Sequence, residues 1–172
     1  MAILCDWEIR SQCEGGQMVW PFNPELVNPA SLDVVLGNYL MCESPTEREL
    51  FRVDITKATK DDPYWLSPGS FCLAETRECF NLPDDISAQF VLKSSRAREG
   101  FNHLLAGWCD PGWHGSKLTL ELKNERRYHD LPLYPGLKIG QMVFHYMNNV
   151  PMHSYALTGH YNNHSTVMPS VA

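Results

Sequence analysis

From residue 27 onward the chain is a series of short apolar or alternating runs, each closed by glycine, proline, asparagine or aspartate. The runs are "SLDVVLGNYLMC" (31–42), "ISAQFVL" (86–92), "HLLAGWCD" (103–110), "SKLTLELKN" (116–124) and "LPLYPGLKIGQMVFHYM" (131–147). "YWLSPGSFCLAETRECFNLP" (64–83) adds two more, on either side of a Ser67-Pro68-Gly69 turn. Runs of this length and spacing predict strands, and the spread of 12 prolines and 11 glycines suits many tight turns. The pattern predicts an all-β sandwich or barrel. Only "LCDWEIRSQCEGG" (4–16) has helical spacing, through Leu4, Trp7, Ile9 and Cys13. Asp6 is the expected cap there and Gly15-Gly16 the stop. The tail from Pro151 is rich in His, Asn, Ser and Tyr, and is expected to gain order from a partner surface or ligand.

Composition narrows this picture. With 172 residues, 44% hydrophobic and 20% charged, one domain over 1–172 is expected, with a tail at 151–172. A formal net charge of -6 argues against broad nucleic-acid binding, so an anionic ligand would have to meet a local cationic cluster. No apolar leader opens the chain and no window approaches a membrane span, so a cytoplasmic protein is expected. Six cysteines without a C-x-x-C pair read as reduced thiols. Zinc is not expected, because neither the H-x-E nor the P-C-x-x-C element of zinc nucleobase deaminases occurs.

The cationic cluster is "KSSRAREG" (93–100), three cations and two hydroxyls on what reads as a short turn after a strand. Such a turn could simply be solvated, yet it also suits a triphosphate, which paired cations and hydroxyl donors hold by charge-assisted hydrogen bonds. In "SKLTLELKN" period-two alternation puts Lys117, Thr119 and Glu121 on one face and Leu118, Leu120 and Leu122 on the other. Glu121 is then a surface carboxylate or a functional acid.

Taken together and in order, "NPASLDVVLG", "KSSRAR", "AGWCDPGWHGSKLTLELKN" and "PGLKIGQMVF" resemble the motifs of the dCTP deaminase family, a branch of the dUTPase-like proteins. The likeness runs from "CDWEIR" to "GHYNNH". It implies a distorted jelly-roll or β-barrel of the dUTPase-like type with a short N-terminal helix, assembled as a homotrimer. It also implies the site. Glu121 would be the catalytic acid and base, Ser94 would orient water or carboxyl, and Arg98 would hold Glu121. Lys93, Ser95 and Arg96 would meet the triphosphate. Ala106, Asp110, Thr119 and Leu120 would contact base and sugar, and Tyr155, His160 and His164 would belong to the closing tail. His160 and His164 stand where the family usually has Lys and Gln, and Lys93 where many members have Arg.

The implied reaction is hydrolysis at a cyclic amidine, dCTP plus water to dUTP plus ammonia, which feeds pyrimidine deoxynucleotide supply. It needs no metal at the carbon centre, and Mg²⁺ would ride on the triphosphate. The resemblance also raises dTTP as an inhibitor, through His103, although a packed histidine is an equal reading of that residue. Two alternatives stay open. One is a dUTPase, or a bifunctional enzyme that continues to dUMP with Asp110 activating water. The other is a non-catalytic nucleotide-binding regulator.

Overall fold

The computed structural model describes residues 2–170. The ends of the expected 1–172 unit, residue 1 and tail residues 171–172, lie outside the described residues. Most of the predicted runs become strands, but of 103–110 only Trp108–Cys109 does, and 131–147 holds two. In chain order these are β1 (Ala2–Ile3), β2 (Val19–Trp20), β3 (Val27–Asn28), β4 (Ser31–Cys42), β5 (Phe51–Asp54), β6 (Tyr64–Leu66) and β7 (Phe71–Asn81). There follow β8 (Ile86–Leu92), β9 (Phe101–Asn102), β10 (Trp108–Cys109), β11 (His114–Asn124), β12 (Leu131–Leu133) and β13 (Lys138–Tyr146). The helices are α1 (Asp6–Cys13), α2 (Ser94–Glu99) and α3 (Tyr155–Thr158). None of them is long and apolar enough to cross a membrane.

Among the described residues, eleven strands form one sheet with the path β10-β8-β13-β4-β7-β11-β9, and β1, β2, β3 and β5 attach to it. All pairings along the path are antiparallel. β10 is first on the path and β11 sixth, yet only residues 110–113 join them. So short a link between strands so far apart requires the sheet to curl into a barrel-like layer. The concave side is filled by Phe80, Phe90, Phe144, Leu36, Leu40, Leu120 and Leu122, all fully buried or nearly so. Each such side chain contributes roughly 1.5–3 kcal/mol by leaving water.

Four expectations need correction. The first helix is capped by Cys5 rather than Asp6, since the Glu8 carboxylate reaches back to accept from the Cys5 N–H at 2.9 Å. Residues 94–99 are a short helix rather than a turn: Lys93 ends the extended strand and α2 closes at Gly100. The alternation of β11 breaks between Lys117 and Thr119, where its register against β7 shifts, so Leu118 is half-buried beside the polar face. The tail finds its surface on the same chain. Asn163 N–H donates to His114 O, Lys117 N–H donates to His164 O, and Met168 N–H donates to Thr119 Oγ1.

β7 carries two carboxyl groups inward, Glu75 and Glu78. Glu78 accepts from the Val35 N–H at 3.1 Å, but burial outweighs that bond and pushes its pKa up from 4.5 to about 7. Between those two values the folded state holds a proton that the unfolded chain releases. Its stabilisation is therefore complete below pH 4.5 and is lost as pH rises toward 7. The window is worth up to about 3 kcal/mol. Glu78→Gln keeps an acceptor for Val35 and should flatten this part of the stability–pH curve, measured by urea unfolding across that range. An unchanged slope would show that Glu78 does not carry it.

Candidate active site

A cavity of about 670 Å³ opens along the half-buried face of β11. Lys117, Leu118, Thr119 and Glu121 form one wall, and Phe71 and Leu73 of β7 continue it. The opposite wall is the segment around β10, with Ala106, Trp108 and Asp110. Tyr155, Tyr161, His164 and Met168 of the tail complete the lining. Most of this lining is apolar, so the few polar groups within it stand in a poorly hydrated space.

Local sequence explains each wall. The β10–β11 link is a turn in which Trp113 N–H donates to Asp110 O at 3.2 Å. Gly112 takes φ +85°, and a Cβ there would collide with Ser154 Oγ, so only glycine lets the tail pass. Ser154 caps α3 through the Ala156 N–H, and its hydroxyl also donates to Asp84. Trp113 stacks on Phe80 at 5.6 Å, and its Nε1–H donates to Tyr161 O at 2.9 Å. Asp110 is exposed, and its Oδ1 accepts from Trp108 Nε1–H at 3.0 Å.

Glu121 lies opposite Leu73 and is half-buried. Burial raises its pKa, opposed only by a hydrogen bond from its own backbone N–H. No cation offsets the shift. A carboxyl that keeps its proton to a higher pH is suited to giving and taking protons near neutrality.

Of the residues singled out in the sequence, Ala106, Asp110, Thr119, Glu121, Tyr155 and His164 line this one cavity. Leu120 does not, since its side chain is buried in the core. Ser94, Ser95 and Arg98 lie outside the lining, exposed on α2, and Arg96 is held by Glu99 at 2.8 Å. Lys93 is engaged with buried Asp33 at 2.6 Å. His160 is exposed on the tail. His103 is buried, packed edge-on against Phe90 at 5.1 Å, and burial lowers its pKa. Among the described residues, no three His, Cys, Asp or Glu side chains are grouped to hold a metal ion.

A profile described as dCTP deaminase-like matches residues 3–147. The chain belongs to that family. This dCTP deaminase-like chain is 40% identical over 151 residues to a Methanoregula boonei protein named "dCTP deaminase, dUMP-forming", covering 83% of this chain and 81% of the relative. A protein of the same name from Mycobacterium marinum is 35% identical over 167 residues, covering 91% and 87%. The fold is shared with the 2'-deoxycytidine 5'-triphosphate deaminase of Agrobacterium tumefaciens, with a TM-score of 0.67 at 24% identity. That match covers 83% of this chain but only 47% of the Agrobacterium chain. The dUTPase of Streptococcus mutans matches with a TM-score of 0.51 at 14% identity, covering 76% of this chain and 92% of that one.

Sequence reasoning missed Glu75. It has no solvent exposure, and its Oε1 accepts from Lys117 Nζ at 2.7 Å and from the Asn38 N–H at 3.3 Å. Its Oε2 accepts from Thr166 Oγ1 and the Val167 N–H, both at 2.9 Å. One carboxylate thus fixes a lysine of the cavity wall and the end of the tail. The available signal was an acidic residue directly after the apolar stretch Phe71–Ala74 of β7. Glu75→Leu should cost about 3–5 kcal/mol, because it leaves the Lys117 charge half-buried without a partner. Urea unfolding measures the loss, and hydrogen exchange at Val167 should accelerate with it. Unchanged protection at that amide would mean that the tail is seated by other contacts.

Proposed function

We propose that the protein deaminates dCTP hydrolytically, with Glu121 carrying the protons. The observation behind this is a carboxyl with a raised pKa in an apolar cavity sized for a nucleoside, on a family motif. In this scheme Glu121 takes a proton from water as its oxygen attacks C4, and passes that proton to N3. It then moves the proton of the new hydroxyl to the exocyclic amine. The C4–N4 bond breaks, ammonia leaves, and dUTP remains. Asp110 and the backbone of the β10–β11 link would hold sugar and base, and Tyr155 and His164 would cover them. Mg²⁺ would arrive on the triphosphate as part of the substrate. The reaction suits a cytoplasmic nucleotide pool.

A second reading extends the first: hydrolysis continues from dUTP to dUMP and pyrophosphate, with Asp110 activating water. Asp110 and Glu121 lining one cavity favours it, as does the printed name of the curated relatives. Assaying ammonia and pyrophosphate separately from dCTP divides the readings. Glu121→Gln should lower ammonia release by about 10²–10⁴-fold. Asp110→Asn should spare ammonia and abolish pyrophosphate if the second step exists. The wild-type rate should fall as pH drops through the raised Glu121 pKa, placing the acid limb above the ordinary carboxylate value of 4.5. Near wild-type ammonia release by Glu121→Gln would sink the proposal.

We further propose that the site lies at the boundary between subunits of a trimer. Ser94, Ser95 and Arg98 are exposed on α2 and lie outside the cavity that holds Glu121, so a neighbouring copy would present its α2 to the cavity. Ser94→Ala and Glu121→Gln should each be inactive alone. When the two are refolded together, roughly a quarter of sites should be intact and activity should return in proportion. No recovery in a mixed trimer would place both residues in one subunit.

A further inference from the structure

We propose that Cys42 and Cys72 form a redox site: a peroxide joins them in a disulfide that ties β4 to β7. Neither residue has a part in the reaction proposed above, and the inference does not rest on it. The two stand directly opposite each other in the antiparallel β4–β7 pairing. Such neighbours have Cα atoms about 4.5–5.5 Å apart, within the ~4.4–6.8 Å that a disulfide spans. Opposed residues project to the same face, and both of these point into the core, Cys72 fully buried and Cys42 nearly so. The Tyr64 hydroxyl donates to Cys42 Sγ at 3.4 Å.

These contacts separate the pair from the remaining cysteines. The neighbouring Cys72 thiol and the Tyr64 hydroxyl pull the Cys42 pKa down against burial, while Cys42 and burial raise that of Cys72. Burial pushes Cys13 up to about 12, burial with the Asp110 charge does the same to Cys109, and burial also raises Cys79. Cys42 is therefore the nucleophile of the pair and Cys72 the resolving thiol. Cys42 is the last residue of β4, and the largely exposed stretch 43–50 follows it, which places it at the rim that a small oxidant reaches.

The chemistry balances with one peroxide. Cys42 thiolate attacks a peroxide oxygen, the O–O bond breaks, and the departing hydroxide takes a proton to become water. Cys42 is left as a sulfenic acid. The Cys72 sulfur then attacks Cys42 Sγ. An S–S bond forms, the S–O bond breaks, and a second water leaves with the Cys72 proton. Two thiols are oxidised and one peroxide is reduced to two waters. The bond would lie directly behind the cavity wall, because Cys72 faces Leu122 across β11 and its neighbours Phe71 and Leu73 line the cavity.

The test uses the reduced full chain and hydrogen peroxide at neutral pH, followed by alkylation in denaturant and tryptic mapping without reductant. Arg48, Arg52, Lys57 and Lys60 place the two cysteines on different peptides, and because Cys13 shares the 11–48 peptide with Cys42, fragment ions of the linked pair assign the bond. The expected product is the Cys42–Cys72 pair, lighter by two hydrogen atoms and released by dithiothreitol. Closing a loop of about 30 residues should also raise the melting midpoint on the order of 10 °C. Cys72→Ser should remove both effects. Recovery of Cys42 and Cys72 as separately alkylated peptides, oxidation of Cys42 to the sulfinic acid, or a link from either to another cysteine would overturn the proposal. The mapping of the wild-type chain decides this even if the variant does not fold.

Discussion

A carboxylate sealed from water sets the terms for much of this molecule. An unpaired charge in that position would cost several kcal/mol, so Glu75 holds its place only with every lone pair engaged. Its four donors come from three places: Asn38 on β4, Lys117 on β11, and Thr166 and Val167 in the tail. The requirement spreads outward. Gly37 must lack a side chain, since a Cβ there would sit 2.6 Å from Glu75 Cγ. Lys117 is drawn back toward the β7 side of the cavity. The tail must return along β11 instead of leaving the barrel. A single desolvated anion thus couples the middle of the sheet to the rim of the site.

Much of the architecture was legible because burial on one face writes itself into alternation. β4, β7, β8 and β13 fall within the expected runs, and β11 begins two residues before its own. What alternation cannot report is a change of register. Leu118 joins the cavity face because β11 slips against β7 after Lys117, and nothing in "SKLTLELKN" marks the slip. Residues 93–100 looked like a turn because their polar composition resembles one, yet six residues without glycine or proline after Lys93 favour helix. The site was half legible. Asp110, Glu121 and parts of the tail line one cavity, whereas Glu75 and Lys117 depend on contacts 37 or more residues apart in sequence.

The separation of α2 from the cavity divides the labour between two kinds of environment. Exposed Ser94, Ser95 and Arg98 keep their hydration and stay soluble without a ligand, which a cluster of cations buried beside Glu121 could not do. Glu121 in turn keeps its apolar surroundings and the raised pKa that follows from them.

The docking of Trp113 gives the tail an optical signature. Of five tryptophans, Trp7, Trp20, Trp65 and Trp108 are each more than half exposed, whereas Trp113 is 6% exposed. Its indole is stacked on Phe80 and hydrogen-bonded to the Tyr161 carbonyl of the tail. Lifting the tail would break that bond and wet the ring, shifting its emission to the red. The chain therefore carries an intrinsic fluorophore that would report the tail leaving this surface, readable in stopped flow without a label.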